Sequence, residues 1–275
     1  MAIMLGDNQY GKAETRVVRT VRDTDRHEIV DMNVSVALAG DLSDTHLTGA
    51  NDKVLPTDTQ KNTVFALARD GIDSAEDFGL RLAQHFTGGQ RSIDRATVTV
   101  QEYTWTRHGD HTFSRSDGGE HREVTVVNDN GASDVTVGLR DLLLLNSTDS
   151  EFTGYIVDEY TTLAPATDRI LATAVTADWH FSETDVDWTK AFETGRTALI
   201  EAFRDTYSLS LQQTLYAMGA KVLEDLPEVD RVTMSLPNRH HFLVDLEPFE
   251  LDNPGLVFHA ADRPYGLIEG TVTRK

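Results

Sequence analysis

The sequence predicts an α+β fold made of two similar halves. Three observations carry that expectation. Strand-like alternation comes in adjacent pairs, helix-like periodicity also comes in pairs, and the order strand, strand, helix, helix, strand, strand runs once and then recurs beyond residues 140–150. An antiparallel sheet with its helices massed on one face is the layering such an order specifies. The halves are expected at residues 1–145 and 146–275. No repeat of the residues themselves accompanies the recurrence, so the duplication rests on element order alone.

In the first half, residues 13–22 read as a strand, with Val17 and Val18 breaking the alternation as a bulge would. Residues 23–26 read as a turn. Residues 28–38 alternate cleanly, Met32, Val34, Val36 and Leu38 on one face and Asn33 and Ser35 on the other. A loop rich in Asp, Thr and Gly fills 40–56. Thr57 and Asp58 then open a helix carrying Val64, Leu67 and Ala68, which Gly71 stops. Ser74 caps a second, with Asp77 three residues on and Phe78, Leu82 and Phe86 one turn apart. Strands follow at 97–106, 122–128 and 135–145. His108 and His111 fall in a hairpin loop, and no third ligand is spaced near them.

The second half repeats the plan. Residues 169–181 form a strand with Leu171, Val175, Ala177, Trp179 and Phe181 on one face. Helices are expected at 188–207 and 212–226. Pro237 divides the segment 232–246 into two strands, and a last strand covers 265–274. If the strand after Pro237 begins near Asn238, then Asn238 and His240 share a face with Phe242, Val244 and Leu246. A polar pair facing inward needs partners. It is either a satisfied core histidine or part of a site.

Composition narrows the chemistry. The chain has 275 residues, 39% of them hydrophobic, enough for a sizeable core. It contains no Cys, which excludes disulfides, Cys-ligated zinc, iron–sulfur clusters and thiolate nucleophiles. A net charge of −20 argues against nucleic acid or an anionic membrane as partner. No apolar run approaches the ~18 residues that span a bilayer. The first residues lack the pattern of a signal peptide, and the final GTVTRK is not a peroxisomal address, so the cytoplasm is the expected compartment.

Several polar or aromatic residues stand at element junctions. Lys12 is at the mouth of the first strand, and Thr57 and Asp58 sit where helix N–H groups favour an anion or carbonyl. Phe152, Arg169, Leu211, Gln212, Asn238 and His240 mark comparable ends in the second half. Taken singly, each also reads as an ordinary cap, core or surface residue.

The strings YGKAETRV, TDTQKNTVFALARDG, DEYTTL, TDRILATAV, LQQTLYAMG, MSLPNRHHFLVDL and ADRPYGLIEGT together resemble the urate oxidase (uricase) family, in order and in spacing, from about Gln9 to Thr271. That resemblance implies two tandem tunnelling-fold (T-fold) domains. It implies a homotetramer that closes β-barrels around a tunnel, with active sites at subunit interfaces. The reaction it implies is oxidation of urate by O₂ and water to 5-hydroxyisourate and H₂O₂, with no metal or organic cofactor. By resemblance, Arg169 and Gln212 would hold the purine and Phe152 would stack on it. Leu211 would contribute its backbone N–H, as would Asp58 from the neighbouring subunit. Asn238 and Thr57 would hold O₂ or the attacking water. Lys12, Thr57 and His240 would relay protons, a hydroxyl being a poor base without an amine beside it.

Two other readings compete. A cyclohydrolase or aldolase relative would bind a purine or pterin on the same fold, with a glutamate anchoring the heterocycle and Cys or His zinc ligands in some members. A non-catalytic relative would bind purines without turnover, and the intact Lys12, Thr57 and His240 set argues against it.

Overall fold

A computed structural model describes residues 3–115 and 119–275. The chain is α+β, and every strand pairing whose register is defined is antiparallel. It divides into two compact units. One comprises the chain up to Gly138 together with His180–Thr189, the other Leu139–Trp179 with Lys190–Lys275.

In the first unit, β1 (Tyr10–Val21) and β2 (Glu28–Gly40) form the long hairpin that the alternation predicted. The short α1 (Ser43–Leu47) interrupts the expected loop, and α2 (Thr57–Arg69) and α3 (Ala75–Gly89) follow. Ser74 caps α3 as read, its hydroxyl accepting from the Asp77 N–H at 3.0 Å. Then come β3 (Ile93–Glu102), β4 (Thr106–Arg107), β5 (Phe113–Ser114), β6 (His121–Asp129) and β7 (Ala132–Asn146). His108 and His111 lie between the paired β4 and β5, in a hairpin loop as expected.

Strand order in this unit is β1-β2-β3-β6-β7. Met32, Val34, Val36 and Leu38 are buried with Val98, Val100, Val124 and Val126 on one face. Against that face α2 packs on β1, and α3 packs on β3 and β6. The opposite face carries Ser35, Thr97, Thr99, Gln101 and Thr125, half-buried and polar. Burying the apolar face is what drives the helices onto one side of the sheet.

The bulge lies elsewhere than expected. Val17 and Val18 pair regularly with Met32 and Asp31, and Val18 simply faces outward at 53% exposure. The register shifts between Lys12 and Thr15, where Glu14 adopts a left-handed φ of 57°.

The second unit holds β8 (Leu171–Phe181) up to Trp179, α4 (Trp188–Asp205) from Lys190, and α5 (Leu211–Asp225). These are followed by β9 (Val229–Pro237), β10 (His241–Leu243), β11 (Phe258–Ala260) and β12 (Leu267–Thr273). The order is β7-β8-β9-β12, and α5 packs on β9 and β12. The helix comes close: a Cβ on Gly219 would meet Val272 at 2.6 Å, so only glycine fits there.

One expectation about this unit fails. Asn238 and His240 do not head a core strand with Phe242, Val244 and Leu246. The second strand is only His241–Leu243, it pairs with β11, and Phe242 and Leu243 are each 54% exposed. After Pro237 the Asn238 N–H donates to Gly266 O at 2.8 Å and the Arg239 N–H to Ala172 O at 2.7 Å. Those bonds stop the chain at the end of the sheet, and it turns away into a separate hairpin. Among the described residues, no helix is long and apolar enough to cross a membrane.

Candidate functional site

The first unit holds Lys12, Thr57 and Asp58. Lys12 stands opposite Val36 and Tyr10 opposite Leu38, so both share the face of the sheet that carries the helices. Beside Lys12 the strands approach so closely that a Cβ on Gly11 would lie 1.8 Å from Val36 O. Thr57 is not the helix cap. Pro56 takes that position, with no side chain accepting from the first turn, and the first helical bond runs from Gln60 N–H to Pro56 O at 3.1 Å. The N–H groups at Thr57 and Asp58 are thus left without an intrahelical acceptor, at the positive end of the helix.

The Asp58 side chain is turned onto its own helix. It accepts from Lys61 and, at 3.0 Å, from the Asn62 amide. Its pKa is held below the ordinary carboxylate value, chiefly by Lys61 and in small part by the charge of Lys12.

The second unit holds the other six residues. Phe152 forms an isolated bridge with Ala166, and its ring stacks on Tyr155 with centroids 5.1 Å apart. The Arg169 guanidinium lies over the Phe152 ring, 5.4 Å from its centre. Arg169 is fixed by Ser150, whose carbonyl accepts its N–H at 2.9 Å and whose hydroxyl accepts its Nε–H at 3.3 Å. Burial pushes the guanidinium pKa below the usual arginine value. Burial, and then the charge of Arg169, lower the His240 pKa, which keeps that imidazole neutral at pH 7. Asn238, two residues earlier, bridges to Thr173 of β8.

Leu211 and Gln212 open α5. Ser210 caps it by accepting from Gln213 N–H at 3.2 Å, and the Gln213 side chain accepts in turn from Leu209 N–H at 2.8 Å. Leu211 is buried and Gln212 is exposed.

Buried Ser and Thr residues connect this helix to the arginine, in part through the main chain. Ser208 bridges to Ser150, and its hydroxyl accepts from the Thr214 hydroxyl of α5 at 2.8 Å. Ser150, Ser208 and Thr214 are all essentially inaccessible to solvent. Nothing in their local residue pattern singles them out, because a buried Ser looks like any loop Ser. Gln60 was detectable: it falls on the buried stripe of α2 with Val64 and Ala68, at a spacing that wants an apolar residue.

A half-buried guanidinium over an aromatic ring, with an amide, a neutral imidazole and a helix N-terminus in the same unit, suits a flat anionic molecule rich in hydrogen-bonding groups. The described residues include no group of three or more His, Asp or Glu arranged to hold a metal ion.

Comparison with known proteins places this architecture in one family. The uricase family model matches residues 8–132 and 135–269. The uricase of Arthrobacter globiformis is 49% identical over 274 residues, 99% of this chain and 91% of that protein. The Dictyostelium discoideum uricase is 38% identical over 98% of this chain and 96% of its own length. The crystal structure of the Arthrobacter globiformis uricase superposes with a TM-score of 0.98, covering 100% of this chain and 96% of that one. A urate oxidase structure from Bacillus sp. TB-90 shares the fold at a TM-score of 0.83 and 22% identity. The chain belongs to the uricase family.

Proposed function

We propose that this chain is a urate oxidase, an oxidoreductase that converts urate, O₂ and water to 5-hydroxyisourate and H₂O₂. The observation that carries the reading is the Arg169 guanidinium held over the Phe152 ring by Ser150, in a chain 49% identical to a uricase. Arg169 gives two charge-assisted donors to adjacent acceptors of the purine anion, and Gln212 pairs with a lactam edge. Phe152 stacks on the ring, and the N–H groups of Leu211 and Asp58 complete the cradle.

In this reading Lys12, Thr57 and His240 move protons. Urate monoanion gives up a proton to the relay, two electrons then pass to O₂, and O₂ takes that proton from the relay and a second from solvent, leaving H₂O₂ and a neutral oxidised purine. Water adds to that purine to give 5-hydroxyisourate, held over the ring face by Asn238 and Thr57. A neutral His240 is the form able to accept a proton. No metal or organic cofactor has a part in this scheme.

The reading takes the chain as two T-fold domains, at residues 1–145 and 146–275. It takes the assembly as a homotetramer forming a β-barrel tunnel, with Thr57, Asp58 and Lys12 of one subunit facing the purine held by another. Ile156, Val157, Tyr160 and Leu163, all at least 60% exposed just beyond Phe152, are side chains that such an interface would cover. The cytoplasm is the compartment assigned, which cell fractionation tests.

The test is urate loss followed by absorbance, with O₂ uptake and H₂O₂ measured alongside in chelator-treated buffer. Equal O₂ and peroxide yields, unchanged by the chelator, are expected. No turnover by a folded protein would overturn the reading in favour of a purine- or pterin-binding relative.

A further inference from the structure

The Tyr10 side chain is tied to a segment that no role yet described explains. Its hydroxyl donates to the Leu55 carbonyl at 3.0 Å and accepts the Leu55 N–H at 2.9 Å, clasping both polar groups of one residue. The amide of Gln60, fully buried on α2, donates to the same carbonyl at 3.3 Å and lies beside the same hydroxyl. Leu55 is two residues before Thr57, and Tyr10 is two residues before Lys12 on the same face of β1. The clasp therefore joins the strand that carries Lys12 to the turn that presents Thr57.

We infer that Tyr10 is a positioning residue, which sets the distance and angle between the Lys12 amine and the Thr57 hydroxyl. The inference rests on the proton-relay reading proposed above. The geometry favours it because the Tyr10 hydroxyl holds both the N–H and the carbonyl of Leu55, whereas Gln60 reaches the carbonyl alone. Pro56 leaves the helix start without a side-chain cap. The Tyr10 hydroxyl stays protonated, since burial raises its pKa against the opposing pull of Leu55 and Gln60. It can therefore serve as donor and acceptor together across the working range of pH. The phenol does not touch substrate in this account. It acts through Thr57.

The experiment compares Tyr10→Phe, Thr57→Ala, Lys12→Met and the Tyr10→Phe/Thr57→Ala double variant in the full assembly. Tyr10→Phe keeps the ring and removes only the clasp. Its kcat should fall roughly tenfold to a hundredfold, the range that small misplacement of reacting groups produces, with KM for urate within about twofold. In the Thr57→Ala background the same change should cost nothing further, which a merely structural role does not predict. An undiminished kcat in Tyr10→Phe, while Thr57→Ala and Lys12→Met are impaired, overturns the positioning role and leaves the relay standing. Full activity in Thr57→Ala and Lys12→Met overturns the relay itself. Should Tyr10→Phe not fold, Gln60→Leu decides: a reduced kcat that vanishes as a difference in the Thr57→Ala background supports the clasp, and an unchanged kcat overturns it.

Discussion

Arg169 and Phe152 meet with the guanidinium 5.4 Å from the ring centre, close enough for a cation to feel the negative face of the aromatic system. The pair brings a charge and a stacking surface together just ahead of β8. Urate needs both, being a flat anion.

Removal of that charge should act mainly on binding. Each hydrogen bond from a charged donor contributes about 1.5–3 kcal/mol, so Arg169→Ala should raise KM for urate roughly tenfold to a hundredfold. Arg169→Lys should recover only part of the loss, because a single ammonium cannot span two acceptors. Steady-state kinetics decide the matter, and an unchanged KM in Arg169→Ala would remove the clamp.

The pH profile tests the partnership of Arg169 with His240. Burial and the Arg169 charge both hold the imidazole below its ordinary pKa of 6.5, so it protonates only at more acid pH. Activity that needs a neutral His240 should therefore survive below pH 6.5 and decline on the acid side. Arg169→Gln removes the repulsion but not the burial, and should move that decline to higher pH. The sign is the same for stability. The unfolded chain binds the proton more readily, so this group's contribution is present above pH 6.5 and is lost as pH falls through the lowered value.

The buried link from Arg169 through Ser150 and Ser208 to α5 should be felt in binding too. Thr214→Val leaves the Ser208 hydroxyl without its donor, in a place closed to water. A loss of about 1–3 kcal/mol in stability is expected, together with a raised KM, whereas Thr214→Ser should restore both. Denaturant unfolding and urate titration read the two effects separately.

A different ion pair serves the fold alone. Glu76 is fully buried and accepts two bonds from the Arg122 guanidinium, which also donates to the Trp188 carbonyl at 3.1 Å. Glu76→Ala should destabilise by about 3–5 kcal/mol, the cost of leaving a buried partner uncompensated, and leave KM for urate unaltered. Burial raises the Glu76 pKa, so the folded state holds this proton more tightly than the unfolded one. The wild type should thus lose stability as pH rises from about 4.5 through the raised value. Glu76→Gln should lack that slope in denaturant midpoints measured across pH.

Most of the fold was legible because its strands bury one face. Met32, Val34, Val36 and Leu38 announce a half-buried strand, and Phe78, Leu82 and Phe86 a buried helical stripe, without any knowledge of partners. The break after Pro237 was legible too, but its sequel was not. Phe242 and Val244 alternate as a core strand would, and what turned them outward was the capture of Asn238 and Arg239 backbone groups by Gly266 and Ala172. Sequence alternation carries no record of such distant main-chain bonds. The register shift after Lys12 was hidden for a similar reason. Val17 and Val18 look irregular, whereas the left-handed Glu14 looks like any exposed glutamate.

The candidate site was legible as residue types at element ends, and the resemblance assigned their roles. What holds them was not visible. Ser150 and Tyr10 act through single hydroxyls whose partners lie 19 and 45 residues along the chain, and Ser208 and Thr214 through a bond between their own hydroxyls. A lone hydroxyl in a sequence carries no direction.

In the proposed scheme, position 58 acts through the peptide N–H at the uncapped start of α2. The carboxylate is occupied by Lys61 and Asn62, so a survey of ordinary replacements will find the site forgiving. Asp58→Asn should pass almost unnoticed. Proline is the one residue able to erase the message, since it deletes the N–H while the first turn of a helix accepts its ring. Such a position hides from side-chain scanning and yields only to chemistry aimed at the main chain.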